Sequence, residues 1–167
     1  MLKQFCCPGC GAAETLNWHS KLYGNDPAVA DGQVVRGQRV FCSDRGQRGG
    51  CGRSFSIWLA DRLPRHTFTA PSLWQLLSGL LEGKSIKASF EATSSLAFAL
   101  ETCYHLLQRL REGLSRIRSL LSGEQKSPSS AQIDPLLQTV EHLRLLFPKS
   151  TCPLVDFQIH FQRPLLE

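Results

Sequence analysis

Two cysteines separated by two residues, in Cys7-Pro8-Gly9-Cys10-Gly11, constrain this chain more than any other feature. Thiolates at that spacing grip one tetrahedral ion, because the tight turn between them aims backbone amides at the sulfurs. Proline sets one turn dihedral, and the glycine after the second cysteine tolerates the left-handed conformation the turn needs. Cys6, Cys7, Cys10, Cys42 and Cys51 all lie in the first third, and a total of seven is odd for a disulfide framework. The complementary pair is Cys42 and Cys51-Gly52. Eight residues, Ser43 to Gly50, separate these two, where an ordinary knuckle has about two to four. That insert, SDRGQRGG, is glycine-rich, so it can loop out and still return Cys51 to the ion. The expectation is one zinc ion on Cys7, Cys10, Cys42 and Cys51, structural because four thiolates leave no open coordination position. Cys6 is the alternative to Cys7, and His19 and His66 are the alternative ligands, but only Cys7 is separated from Cys10 by two residues.

The surrounding pattern predicts an α+β chain. Apolar-polar stretches at Leu16–Leu22, Val34–Phe41 and Ser54–Leu59 read as three short antiparallel strands, giving a small zinc ribbon over residues 1–63. Gly24-Asn25-Asp26-Pro27 and Asp31-Gly32 mark the loop between the first two. A segment this short has too small a core to fold unaided, and a structural metal supplies the deficit. Residues 64–122 read as helices. Thr69-Ala70-Pro71-Ser72 starts one that Gly83 ends, Ser85 caps a second, and a third starts between Ser94 and Leu100 and runs to about Ser122. Two short helices and another across a tight turn is the helix-turn-helix layout. Leu100, Cys103, Leu107, Leu110, Leu114, Ile117 and Leu121 alternate at spacings of three and four. This heptad seam makes homodimerisation a secondary expectation, against which Leu106 and Leu120 widen the stripe and Gly113 weakens the helix. In residues 123–167, GEQKSPSSAQID reads as a linker and Pro135 to Pro148 bounds an amphipathic helix. The tail alternates Val155, Phe157, Ile159 and Phe161, which suits a strand or an arm packed back on the bundle.

Charge points to a polyanion. Residues 36–53 hold Arg36, Arg39, Arg45, Arg48 and Arg53 against Asp44 alone, in a chain of net charge +5. These arginines are the expected phosphate contacts on double-stranded DNA. Lys84, Lys87 and Arg109 are expected to add to them from the helices, with Thr102 and His105 (and Glu101) near the bases.

Taken together, CPGCG, RVFC, CGRSFS and the Trp-bearing SLWQLLSGLLEGKSI before a helix-turn-helix resemble the N-terminal region of bacterial insertion-sequence transposases and their derived regulators, over roughly residues 5–120. In those families the ribbon and helix-turn-helix recognise terminal repeats, and a separate RNase H-like domain cuts DNA with three acidic residues. The resemblance implies the same four zinc ligands and DNA-contacting middle helices. The departures are the long Cys42–Cys51 insert and the missing catalytic part. After Ser122 only Glu124, Asp134, Glu141, Asp156 and Glu167 are acidic, too few carboxylates on too little scaffold for a two-metal nuclease site. The expectation is therefore a non-catalytic, sequence-specific DNA-binding protein. Its rivals are a protein-binding adaptor and an accessory subunit that works beside a transposase or transcription complex. No run approaches the roughly 18 apolar residues of a membrane span, and MLKQFCCPGCG lacks the apolar core of a secretory signal. A cytoplasmic, nucleoid-associated location is expected.

Overall fold

Three runs rich in β-branched and aromatic residues pair as an antiparallel sheet of order β1-β2-β3: β1 Leu16–Asn25, β2 Gln33–Cys42 and β3 Ser54–Trp58. The computed structural model describes residues 2–25, 32–45, 49–93 and 99–166. By its internal contacts the chain divides into two units, Met1–Leu59 and Ala60–Glu167.

In the first unit, Leu16 pairs with Cys42 at one end of the hairpin and Asn25 with Gln33 at the other, while β3 adds by pairing Phe41 with Ser54 and Gly37 with Trp58. Two register shifts, between Trp18 and Ser20 and between Leu22 and Tyr23, interrupt the hairpin. Its buried apolar side chains, among the described residues, are Cys7, Leu16, Val40 and Cys42, with Leu2, Cys51 and Phe55 packed at their margin. Two of those four are candidate metal ligands. A core of this size cannot offset the entropy of ordering three strands by apolar burial alone.

The second unit holds six helices: α1 Ala70–Leu81, α2 Ile86–Ala92, α3 Leu100–Glu112, α4 Leu114–Glu124, α5 Pro135–Leu146 and α6 Pro153–Phe161. The first two begin where the capping residues direct. Thr69 Oγ1 accepts from the Ser72 amide at 3.2 Å, and Ser85 Oγ accepts from the Ala88 amide at 3.2 Å. Gly83, at φ +84°, closes α1 in the left-handed conformation expected of it. The two helices meet closely: a Cβ on Gly79 would come within 2.7 Å of Ser89 Oγ. One continuous core joins α1 and α3–α6, with Leu73, Leu76, Leu107, Ile117, Leu136, Leu154 and Phe157 all fully buried.

Two expectations are corrected here. The single long third helix is two helices meeting at Gly113, which is both the last cap of α3 and the first of α4. Glycine lacks the propensity to carry the helix through. The heptad positions Cys103, Leu107, Leu110, Ile117 and Leu121 face the core of their own chain, so that seam is not open to a second copy. The tail is helical rather than extended. Its apolar residues fit alternation, but Leu154, Phe157 and Phe161 also recur at helical spacing, and Pro153 occupies the first turn, where a missing amide costs nothing. The tail does pack back on the helices. Gln158, almost buried on α6, donates from Nε2 to the Ala60 carbonyl and accepts from the Leu165 amide at 2.9 Å. Arg116 donates to the Leu165 carbonyl at 2.9 Å.

His142 on α5 is 2 % exposed, and its Nε2 lies 3.0 Å from the Gln125 carbonyl at the end of α4. Burial holds its pKa below the ordinary 6.5, opposed by that hydrogen bond and assisted by Arg118. The unfolded chain therefore takes up this proton first, so the stability contributed by neutral His142 is complete above about pH 6.5 and is lost as pH falls below it. Urea denaturation of wild type and His142→Gln, whose amide can still donate to Gln125, tests this. The stability gap should narrow in favour of the variant between about pH 7 and about pH 5; a gap independent of pH would contradict the assignment.

Candidate metal centre

The sulfurs of Cys7, Cys10, Cys42 and Cys51 all lie within 4.8 Å of one another, and they form the one such cluster of ligand-bearing side chains among the described residues. Cys7 and Cys51 are 3.7 Å apart and Cys10 and Cys42 are 3.8 Å apart. Four sulfurs bonded at about 2.3 Å to a tetrahedral ion stand about 3.8 Å from each other, so the four donors fit one closed, thiolate-bound metal site. The ligand set expected from spacing is the set brought together.

Each pair is aimed by its own turn. In the first, the Gly9 amide donates to Cys7 Sγ at 3.3 Å and the Gly11 amide to the Cys7 carbonyl at 2.8 Å, with Gly11 at φ +74°. The second repeats this scheme despite its insert. The Cys51 amide donates to Cys42 Sγ at 3.3 Å and the Gly52 amide to the Cys42 carbonyl at 3.0 Å, with Gly52 at φ +69°. The insert leaves the turn after Cys42 and returns at Gly50, where a Cβ would stand only 2.0 Å from the Ser43 carbonyl oxygen. Glycine there lets the two stems of the loop close on each other. Amides pointed at both sulfurs favour the thiolate form that a metal needs.

A residue with no signal in the cysteine spacing joins the site. Thr15, buried just before β1, places Oγ1 3.2 Å from Cys42 Sγ. This hydroxyl is the main reason the Cys42 thiol is lowered to about 7, with the Cys51 amide assisting against burial. Cys10 goes the other way. The Ala12 amide pulls its pKa down, but burial and the neighbouring thiols of Cys7, Cys42 and Cys51 together outweigh it and raise it to about 11. Four thiols this close cannot all ionise without a cation among them.

The substitutes considered for these ligands stand elsewhere. Cys6 is exposed and outside the cluster, His19 is exposed with Nδ1 3.2 Å from Ser20 Oγ, and His66 belongs to the helical unit. Cys103 and Cys152 lie in the helical core, where burial pushes both thiols up.

The cationic residues divide by environment. Arg39, Arg45 and Arg53 are exposed, the last two three and two residues beyond the ligands Cys42 and Cys51. Arg48 lies outside the described residues. Arg36, expected at the surface with them, is instead 5 % exposed. Its guanidinium donates to the Asn25 carbonyl at 2.7 Å, and its stem crosses Gly24, where a Cβ would come within 2.3 Å of Arg36 Cδ. The bare glycine makes room for the arginine to bind the hairpin. Lys84 is 2.8 Å from Glu82 and Lys87 is 4.0 Å from Glu91, so both charges are locally balanced. Thr102, His105 and Arg109 lie together on the exposed side of α3, opposite Cys103, Leu106, Leu107 and Leu110, and Arg109 Nη1 is 3.3 Å from His66 Nε2.

The chain matches no protein-family model, and no curated protein or solved structure matches it.

Replacing Cys10 by serine should release the metal and abolish the sheet's amide protection from hydrogen exchange, while Cys6→Ser should retain one metal per chain. Mass spectrometry under native conditions, with hydrogen exchange on the same samples, reads both. Equal metal content in wild type and Cys10→Ser would contradict the ligand set.

Proposed function

We propose that the metal is zinc and that the protein is a non-catalytic, sequence-specific duplex-DNA-binding protein of transposase-related type, built from a zinc ribbon and a helix-turn-helix. The observation that carries this reading is the placement of Arg45 and Arg53 on the stems that the second cysteine pair holds, with Arg39 exposed on the strand leading to it. A metal that fixes the cysteines also fixes the backbone from which these guanidiniums reach phosphate. All-thiolate, four-coordinate binding is the preference of structural zinc, and such a site offers no position for a reacting water.

The helices contribute readout in this proposal. Thr102, His105 and Arg109, spaced three and four residues apart on α3, supply the hydroxyl, imidazole and guanidinium suited to base edges and the flanking phosphate. The assignment as non-catalytic is supported by how the C-terminal carboxylates are used. Asp134 caps α5 and pairs with Arg111 at 2.9 Å, Glu141 accepts from Ser130, and Glu124 lies 3.3 Å from His160. These groups hold segments together and do not converge on a common point. A nucleoid-associated, cytoplasmic protein acting alone or beside a transposase is the setting this implies.

Gel-shift titration against a duplex library at several salt concentrations is the test. Affinity should fall steeply with salt, and each of Arg39→Ala, Arg45→Ala and Arg53→Ala should flatten the log–log slope by about 0.9, one released counterion apiece. Binding that is indifferent to salt, or unaltered when the metal is stripped, would refute the proposal.

A further inference from the structure

The three strands carry Lys21, Arg36 and Arg39 and no carboxylate, together with five aromatic residues, Trp18, Tyr23, Phe41, Phe55 and Trp58. Register sorts some of them onto one face. Trp18 pairs with Val40 and Phe55 across the sheet, and Lys21 pairs with Gln38 and Ile57. Val40 and Gln38 are two apart on β2, so both rows project on the same side, and Tyr23, two beyond Lys21 on β1, joins them. The edge strand thus presents an indole, an ammonium and a phenol in line, with Lys21 and Tyr23 about 7 Å apart along the chain. Trp18 is 59 % exposed, Tyr23 60 % and Ile57 46 %.

Resting on the nucleic-acid reading above, we infer that this face is a platform for single-stranded DNA, with bases stacking on Trp18 and Tyr23 and Lys21 holding the phosphate between them. Charge selects the occupant: Lys21 is the cation that this face presents and the three strands carry no carboxylate, which complements a phosphate between two bases. The rings select its form, because only unpaired bases offer their faces for stacking. Duplex phosphates would be met by Arg39 and the arginines of the cysteine turns. Arg39 pairs with Ser20 and Ser56 and projects from the opposite side of the sheet. One small unit would then hold a duplex and an adjacent unpaired strand through separate surfaces.

The experiment uses the full chain loaded with zinc, a short fluorescein-labelled oligo(dT), the matching oligo(rU) and a blunt duplex. Oligo(dT) should bind and quench tryptophan emission. Trp18→Ala/Tyr23→Ala should weaken oligo(dT) binding about tenfold or more with metal content and duplex affinity unchanged, and Trp18→Phe should recover part of the loss. Oligo(rU) bound more tightly than oligo(dT) would overturn the assignment to DNA. Duplex binding with no oligo(dT) binding, or an unaffected double variant, would overturn the platform alone. Failure of both probes would overturn the DNA-binding reading itself. A zinc-loaded dimer that Trp18→Ala disperses, with no quenching by oligo(dT), would make the face a contact between copies and overturn the platform.

Discussion

Four sulfurs converging on one point hold the first unit together. Its buried apolar set is four side chains, two of which, Cys7 and Cys42, are ligands. Without an ion at that point, half of that core would be a cluster of mutually repelling or reprotonated thiols. Structural zinc in small modules is worth about 10–16 kcal/mol of binding free energy at neutral pH, far more than two remaining apolar side chains can provide. In the proposed zinc-bound protein, the metal would thus be a condition of folding. The helical unit stands in contrast, with a continuous apolar core from α1 to α6.

In the proposed DNA-binding function, that dependence would shape how the arginines work. A guanidinium on a free loop binds phosphate only after paying for its own ordering. Arg45 and Arg53 sit within three residues of sulfurs that a bound metal would fix, on a turn whose amides are already committed to Cys42. Preorganisation of this kind would raise the proposed affinity without adding contacts. The long insert between Cys42 and Cys51 departs from a compact knuckle yet preserves the turn at its base, because Gly50 and Gly52 let the chain close as tightly as it does around Gly9 and Gly11.

Features set by local chemistry were legible in the sequence, and those set by three-dimensional context were not. The four ligands, the strand positions, the caps Thr69 and Ser85 and the stop at Gly83 each follow from spacing or from one residue's conformational preference. The burial of Arg36 is not legible in its charge, because the gap that takes its stem is left by Gly24 on the neighbouring strand. Thr15 gives no signal in the sequence, because a hydroxyl at a strand entrance has many roles and only the fold brings it to Cys42. The tail fits both strand and helix periodicities, and tertiary packing of Leu154 and Phe157 decided between them. The division at Gly113 was foreshadowed by propensity, but the seam running through it masked the break.

X-ray absorption at the zinc edge of the purified, metal-loaded chain examines the coordination itself rather than its consequences. Four sulfur neighbours at about 2.3 Å, with neither nitrogen nor oxygen in the inner shell, are expected from Cys7, Cys10, Cys42 and Cys51. A shell containing a light-atom ligand, or only two or three sulfurs, would contradict the closed thiolate centre on which the folded sheet and its cationic surface depend.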